Sequence, residues 1–152
     1  MSVRAKTYLD GVIAGMIGAI IVALLFLFID AVTRLPLYTP TLLGTGLFRG
    51  REDLASTDTV QVSLQLTLMY TWVHWLVFVV LGVLAAQFLL MIKKDLNLGL
   101  TILLLFVILE FGFVATWFLI AKPVLDQIAL TMVLVGNGLA ATGMAIYLAV
   151  RK

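Results

Sequence analysis

The sequence predicts an all-α integral membrane protein: a four-transmembrane-helix antiparallel bundle, a single membrane domain over 1–152, with a long first extramembrane connection containing a short interfacial helix. Three observations lead there. Of the 152 residues, 63% are hydrophobic and 12% charged, whereas soluble domains run at about 45–50% apolar and ~25% charged. Mean hydropathy is +1.18. Four separate runs reach the roughly 20 apolar residues that a helix needs to cross about 30 Å of hydrocarbon.

The first span runs from about Leu9 to Val32 and is uncharged between Asp10 and Asp30. Arg4 and Lys6 ahead of it imitate a signal peptide, but signal h-regions are only ~7–15 residues and end at a small-residue cleavage site. This run is longer and ends in Phe-Ile-Asp-Ala-Val-Thr-Arg, so a retained helix is expected. The connection from Thr33 to Gln65 opens with a stop. Asp30 and Arg34 have ion-pair spacing on a helix, and Pro36 blocks continuation. Thr39-Pro40 then reads as an N-cap followed by a first-turn proline, opening a short helix through Leu42, Leu43, Leu47 and Phe48. Arg34, Arg49 and Arg51 form the external surface of this connection, reaching headgroups or a partner.

Residues Thr59 to Leu68 alternate in polarity, as a half-buried strand does. A lone strand would leave unpaired backbone beside the bilayer. Asp58 with Gln61 instead resembles a capping box, so a helix running into span two is favoured, with strand pairing to another chain the alternative. Span two covers about Leu66 to Ile92, span three about Leu98 to Ala121, and span four about Ile128 to Val150. The last two connections are short, which makes consecutive helices antiparallel neighbours. Arg4, Lys6, Lys93, Lys94, Arg151 and Lys152 fall on one side of this topology, which predicts cytoplasmic termini in a bacterial-type inner membrane.

Small residues predict the packing. Gly11, Gly15 and Gly18 follow one face of span one, and Gly136, Ala140 and Gly143 follow one face of span four. Such ridges let helix backbones approach closely, most simply span one against span four.

The polar residues inside the spans are the candidate site, because an ionisable group there costs about 2.5–3.5 kcal/mol on insertion scales. Glu110 lies on the order of 18 Å from the cytoplasmic edge, near the midplane, and His74 roughly 20 Å from it. Asn137 falls at a similar level, so three polar groups on three helices are expected to share one layer. Glu110 can then bond His74 or Asn137. A structural role is equally open, with Glu110 a neutral acid tying helices together and His74 satisfied by Glu110 or a backbone carbonyl. Trp72, Trp75, Phe78, Phe106, Phe111 and Trp117 are candidate walls for a pocket in that layer.

Composition excludes several chemistries. Without cysteine there is no disulfide or thiolate metal site, and one histidine excludes a His-rich metal site within the chain. A net charge of +2 does not make a nucleic-acid surface. No nucleophile–base pair or phosphate-cradling glycine loop is present. The expected function is a non-catalytic accessory or structural subunit of a larger inner-membrane complex, with the bilayer and other integral subunits or copies of itself as partners. One alternative is a small oligomeric proton-coupled transporter or channel using Glu110. Another is a binder of quinone or a different lipid-soluble cofactor in the His74/Glu110 layer. Haem held by His74 and Met132 is the remaining cofactor alternative.

Overall fold

The computed structural model describes residues 3–50, 61–92, 97–120 and 130–151. Among these residues the chain is all-helical, with no strand: α1 is Val3–Thr33, α2 Tyr38–Phe48, α3 Leu64–Ile92, α4 Leu98–Ile120 and α5 Leu130–Val150. All but α2 are long and apolar enough to cross a membrane. Their apolar residues cover every side of the helix, the pattern of a helix immersed in apolar surroundings. A helix satisfies its own backbone polar groups, which is the condition for crossing hydrocarbon.

The helix starts have local causes, and they differ from two sequence expectations. The Asp58/Gln61 capping box does not open α3. Residues 61–63 carry no regular element, Asp58 lies outside the described residues, and Ser63 Oγ caps the helix by accepting from Leu66 N–H at 3.4 Å. For α4 the cap is Asn97, whose Oδ1 accepts from Leu100 N–H at 2.8 Å. Thr39 is not the N-cap of α2 either. Leu37 holds that position in a left-handed conformation, φ 67°, with no side-chain cap of its own. Such a backbone costs a non-glycine residue roughly 1–2 kcal/mol.

The compensating cap comes from α1. Asp30 is buried, and its carboxylate accepts from Thr39 N–H at 2.7 Å and from Thr39 Oγ1 at 2.6 Å. The spacing with Arg34 that suggested an ion pair therefore misses the main use of Asp30. Arg34 stacks over the Tyr38 ring, 5.2 Å from its centroid. On its other side α2 is tied to α3. Thr41 Oγ1 lies 3.0 Å from Thr67 Oγ1, Ser63 N–H donates to Thr41 Oγ1 at 3.2 Å, and Gly44 presses on the Leu66 carbonyl. At the far end of α2, Arg49 N–H returns to the Thr45 carbonyl at 2.9 Å. Arg51 lies outside the described residues.

The four long helices form a ring in the order α3–α1–α5–α4, closed where α4 meets α3. Span one packs against span four as expected, through the ridge on α5, but the ridge on α1 is turned mainly to α3. Gly11 and Gly15 of α1 lie against α3 at Gly82, Val83, Phe78 and Val79, whereas Gly18 touches both Phe78 and Met144. On α5, Gly136 faces Val22, Leu25 and Phe26, Gly143 faces Ile17 and Ile21, and Ala140 is fully buried. The partner of the first ridge is Gly82, a residue that spacing on α1 could not reveal. A core rich in alanine, including Ala14, Ala19, Ala85, Ala86, Ala141 and Ala145, fills this half of the ring. At the end of the ring where α1 begins and α5 finishes, Tyr147 donates to Asp10 Oδ1 at 3.4 Å, and Lys6 Nζ donates to the Arg151 carbonyl at 3.3 Å.

Of the long-helix pairs that pack together, α3 and α4 are the least closely packed, although a short connection joins them. They touch where Leu81 comes up to Gly112. The close-packed small residues hold one half of the ring shut, and the other half, toward α2, is wider.

Candidate functional site

In that wider half lies a partly open cavity of about 400 Å³. The α3 face lining it carries Thr67, Tyr70, Thr71, His74, Phe78 and Leu81, residues three or four apart on one side of a helix. Opposite stand Val22, Phe26 and Leu27 of α1, Leu109, Gly112 and Phe113 of α4, and Val133 and Asn137 of α5. Helix α2 closes one end with Leu37, Thr39, Pro40, Leu43 and Leu47. The strained Leu37 therefore puts its side chain into the cavity wall, and Asp30 holds the helix that follows it.

His74 is placed by two contacts. Its Nε2 lies 3.1 Å from the Ala19 carbonyl of α1, and its ring sits between Tyr70 and Phe78, with centroid separations of 6.0 and 4.8 Å. A carbonyl only accepts, so Nε2 carries the proton and donates. In the neutral ring Nδ1 is then an acceptor. Glu110 is bonded to Asn137, which donates from Nδ2 to Oε1 at 3.0 Å. Glu110 is half-buried and stands behind Asn137, outside the cavity lining, fixing the direction of the amide.

Glu110 and Asn137 are brought together by their hydrogen bond, and Asn137 and His74 line the same cavity, with no hydrogen bond between Glu110 and His74 among the described residues.

The hydroxyls around them are mostly engaged. Thr39 is bonded to Asp30, Thr67 to Thr41, and Thr71 Oγ1 donates to the Thr67 carbonyl at 2.7 Å. The Tyr70 hydroxyl, His74 Nδ1 and Asn137 Oδ1 have no hydrogen-bond partner among the described residues. Sequence reasoning did not single out Tyr70 as a site residue. The signal that could have found it is the 67, 70, 71, 74 spacing, a polar stripe on an otherwise apolar helix.

Of the candidate pocket walls, Phe78 lines the cavity. Trp75 and Phe106 are packed against the core instead. Trp72 and Phe111 are 80% and 72% exposed, on the outer surface of the ring. The side chain of Trp117 lies outside the described residues. Met132 is exposed and away from the cavity lining, and His74 Nε2 is already bonded. Among the described residues no group of three potential metal ligands converges.

The Asn137–Glu110 bond links α4 to α5, and such interhelical bonds contribute about 1 kcal/mol in membranes. Glu110→Gln keeps an oxygen for Asn137 and is expected to leave the thermal midpoint in detergent unchanged. Glu110→Leu removes the acceptor and is expected to destabilise by about 1 kcal/mol. Equal midpoints for the two variants would show that the bond does not tie the helices.

The sequence matches no family model, no curated protein and no solved structure.

Proposed function

We propose that this chain is a non-catalytic integral membrane subunit whose working element is the cavity, and that it binds a lipid-soluble molecule there. The observation that carries this reading is a cavity of about 400 Å³, apolar in most of its lining and edged by a few polar groups, most of them on one face of α3. Small-molecule sites have this character, with volumes of about 300–1,000 Å³ and a few polar groups that orient the ligand.

The proposed setting is an antiparallel bundle in a bacterial-type inner membrane, both termini cytoplasmic, alongside other integral subunits. The contact series 11 with 83, 15 with 79 and 19 with 74 supports opposite directions for α1 and α3. The clustering of Lys6 and Arg151 at one end of the ring supports the orientation. In this arrangement α2 lies at the opposite interface, its apolar residues turned into the cavity mouth.

The test is purification in lipid-preserving nanodiscs, organic extraction and mass spectrometry with an absorption spectrum. A lipid-soluble compound retained in fixed proportion to protein is the expected result. Extracts that match those of empty nanodiscs would overturn the reading.

A further inference from the structure

We infer that the cavity selects a neutral lipid alcohol or phenol, whose hydroxyl donates to His74 Nδ1 and accepts from the Tyr70 hydroxyl. This deepens the proposed function and rests on it.

Charge is the first constraint. No Asp, Glu, Lys or Arg is among the described residues lining the cavity. An ionised head would be taken out of water without a partner, which is strongly unfavourable. Phospholipid headgroups, ionised fatty acids and ammonium lipids are disfavoured on that ground.

Hydrogen-bond direction is the second. The Ala19 carbonyl fixes the proton of His74 on Nε2, so the nitrogen left for a ligand is an acceptor. A ketone, ester or oxidised quinone brings only acceptors; it can accept from Tyr70 but leaves His74 Nδ1 facing a lone pair. A hydroxyl supplies the missing proton. Its oxygen can then accept from Tyr70, one helical turn away, whose ring is tilted against the same imidazole at 6.0 Å. The neighbouring Thr39, Thr67 and Thr71 hydroxyls are committed within the protein and do not compete.

Size is the third. At about 400 Å³ the cavity is at the lower end of the usual range, enough for a ring or the start of a chain. A longer tail has its exit between α3 and α4, where the ring is least closely packed. A quinol, as a phenol, belongs to the selected class, and its oxidised form does not.

The test measures binding of 4-nonylphenol, its methyl ether and 4-nonylbenzoate, with geranylgeraniol as the aliphatic alcohol. The protein is the full chain in nanodiscs: wild type, Tyr70→Phe and His74→Phe. Wild type is expected to bind the phenol and the alcohol roughly tenfold to hundredfold more tightly than the ether, the range for a polar group left unpaired. Benzoate is expected to bind weakest. Tyr70→Phe removes only the hydroxyl oxygen, is expected to fold normally, and is expected to weaken phenol and ether alike, because both oxygens accept from Tyr70 and only the phenol donates to His74. His74→Phe is expected to bind phenol and ether equally, provided its circular dichroism matches wild type. Should it fail to fold, the wild-type phenol-to-ether ratio and the parallel loss in Tyr70→Phe decide.

Equal binding of phenol and ether by wild type would overturn the head-group assignment and leave the cavity reading standing. So would phenol binding unchanged in Tyr70→Phe, a preference that survives in folded His74→Phe, or tighter binding of the benzoate. Absence of binding by all four probes would overturn the proposed function as well.

Discussion

Replacing Gly82 with alanine is expected to destabilise the bundle by about 3 kcal/mol, and replacing it with leucine to prevent folding. A single Cβ at this position would overlap the Gly11 carbonyl oxygen and lie 2.6 Å from Gly15 N. Those atoms belong to the α1 backbone and cannot rotate away as a side chain would. Overpacking in cores costs about 1–3 kcal/mol even when neighbouring side chains can adjust, and backbone contacts put this site at or above that range. The strain also falls where the α1 and α3 backbones approach closely, so side-chain adjustment alone cannot relieve it. Gly99→Ala is the control. The nearest atom to a Cβ there is Asn97 Oδ1 at 3.6 Å. In an exposed helical position alanine is expected to stabilise by roughly 0.5–1 kcal/mol. Thermal unfolding followed by circular dichroism in detergent compares the two. A Gly82→Ala midpoint equal to wild type would mean that α1 and α3 do not approach backbone to backbone.

The second large effect is expected at Asp30. Asp30→Ala deletes both acceptors of Thr39 and leaves a buried N–H at the start of α2 without its cap. Loss of a cap costs about 0.5–2 kcal/mol, and hydrogen bonds to charged groups are worth about 1.5–3 kcal/mol. A combined loss of about 2–4 kcal/mol in the docking of α2 follows. The strained Leu37 sits just before the lost cap, so its left-handed backbone would have less holding it. Amide exchange is the direct measurement. Tyr38–Phe48 is expected to lose protection while the middle of α1 and α3 keeps theirs. Uniform loss across all helices would instead make Asp30 a global stability residue. Unchanged protection in α2 would show that the contacts with Thr67 and Ser63 are sufficient without it. Asp30→Asn keeps one acceptor oxygen and is expected to fall between.

These two residues also show what the sequence could and could not reveal. The ends of the long helices inside the described residues were mostly legible to within a few residues, because a run of Leu, Ile, Val and Phe is a local property. The structure starts α3 at Leu64 against Leu66 from hydropathy and ends α1 at Thr33 against Val32, whereas α1 is already helical at Val3, well before Leu9. Gly82 was not singled out, because its neighbour Gly15 is far away in the chain and a lone glycine carries no spacing signal. Asp30 was assigned to Arg34 because four-residue spacing is visible on a helix. Its true partner, Thr39, comes within reach only after the chain turns at Leu37. His74 stood out as a residue type, but Ala19 contributes only a backbone carbonyl, and every helical residue offers one. Asn137 and Glu110 could be proposed as a pair because both are rare in such surroundings, and rarity survives without coordinates. The direction of each aromatic side chain was the least legible. On a helix that is apolar all round, periodicity cannot say which side faces a neighbour, and Trp72 and Phe111 are on the outside.

The sparse seam between α3 and α4 bears on how occupancy of the cavity is to be measured. A guest that enters sideways, through that seam, exchanges with the surrounding lipid and never dissolves in buffer. Its occupancy then follows its mole fraction in the bilayer, and an aqueous dissociation constant would describe mostly its insolubility. Washing such a preparation with buffer leaves the guest in place. Adding micelles or empty vesicles drains it, in proportion to the amphiphile added. Titrations should therefore hold the lipid-to-protein ratio constant and vary the fraction of guest within the lipid.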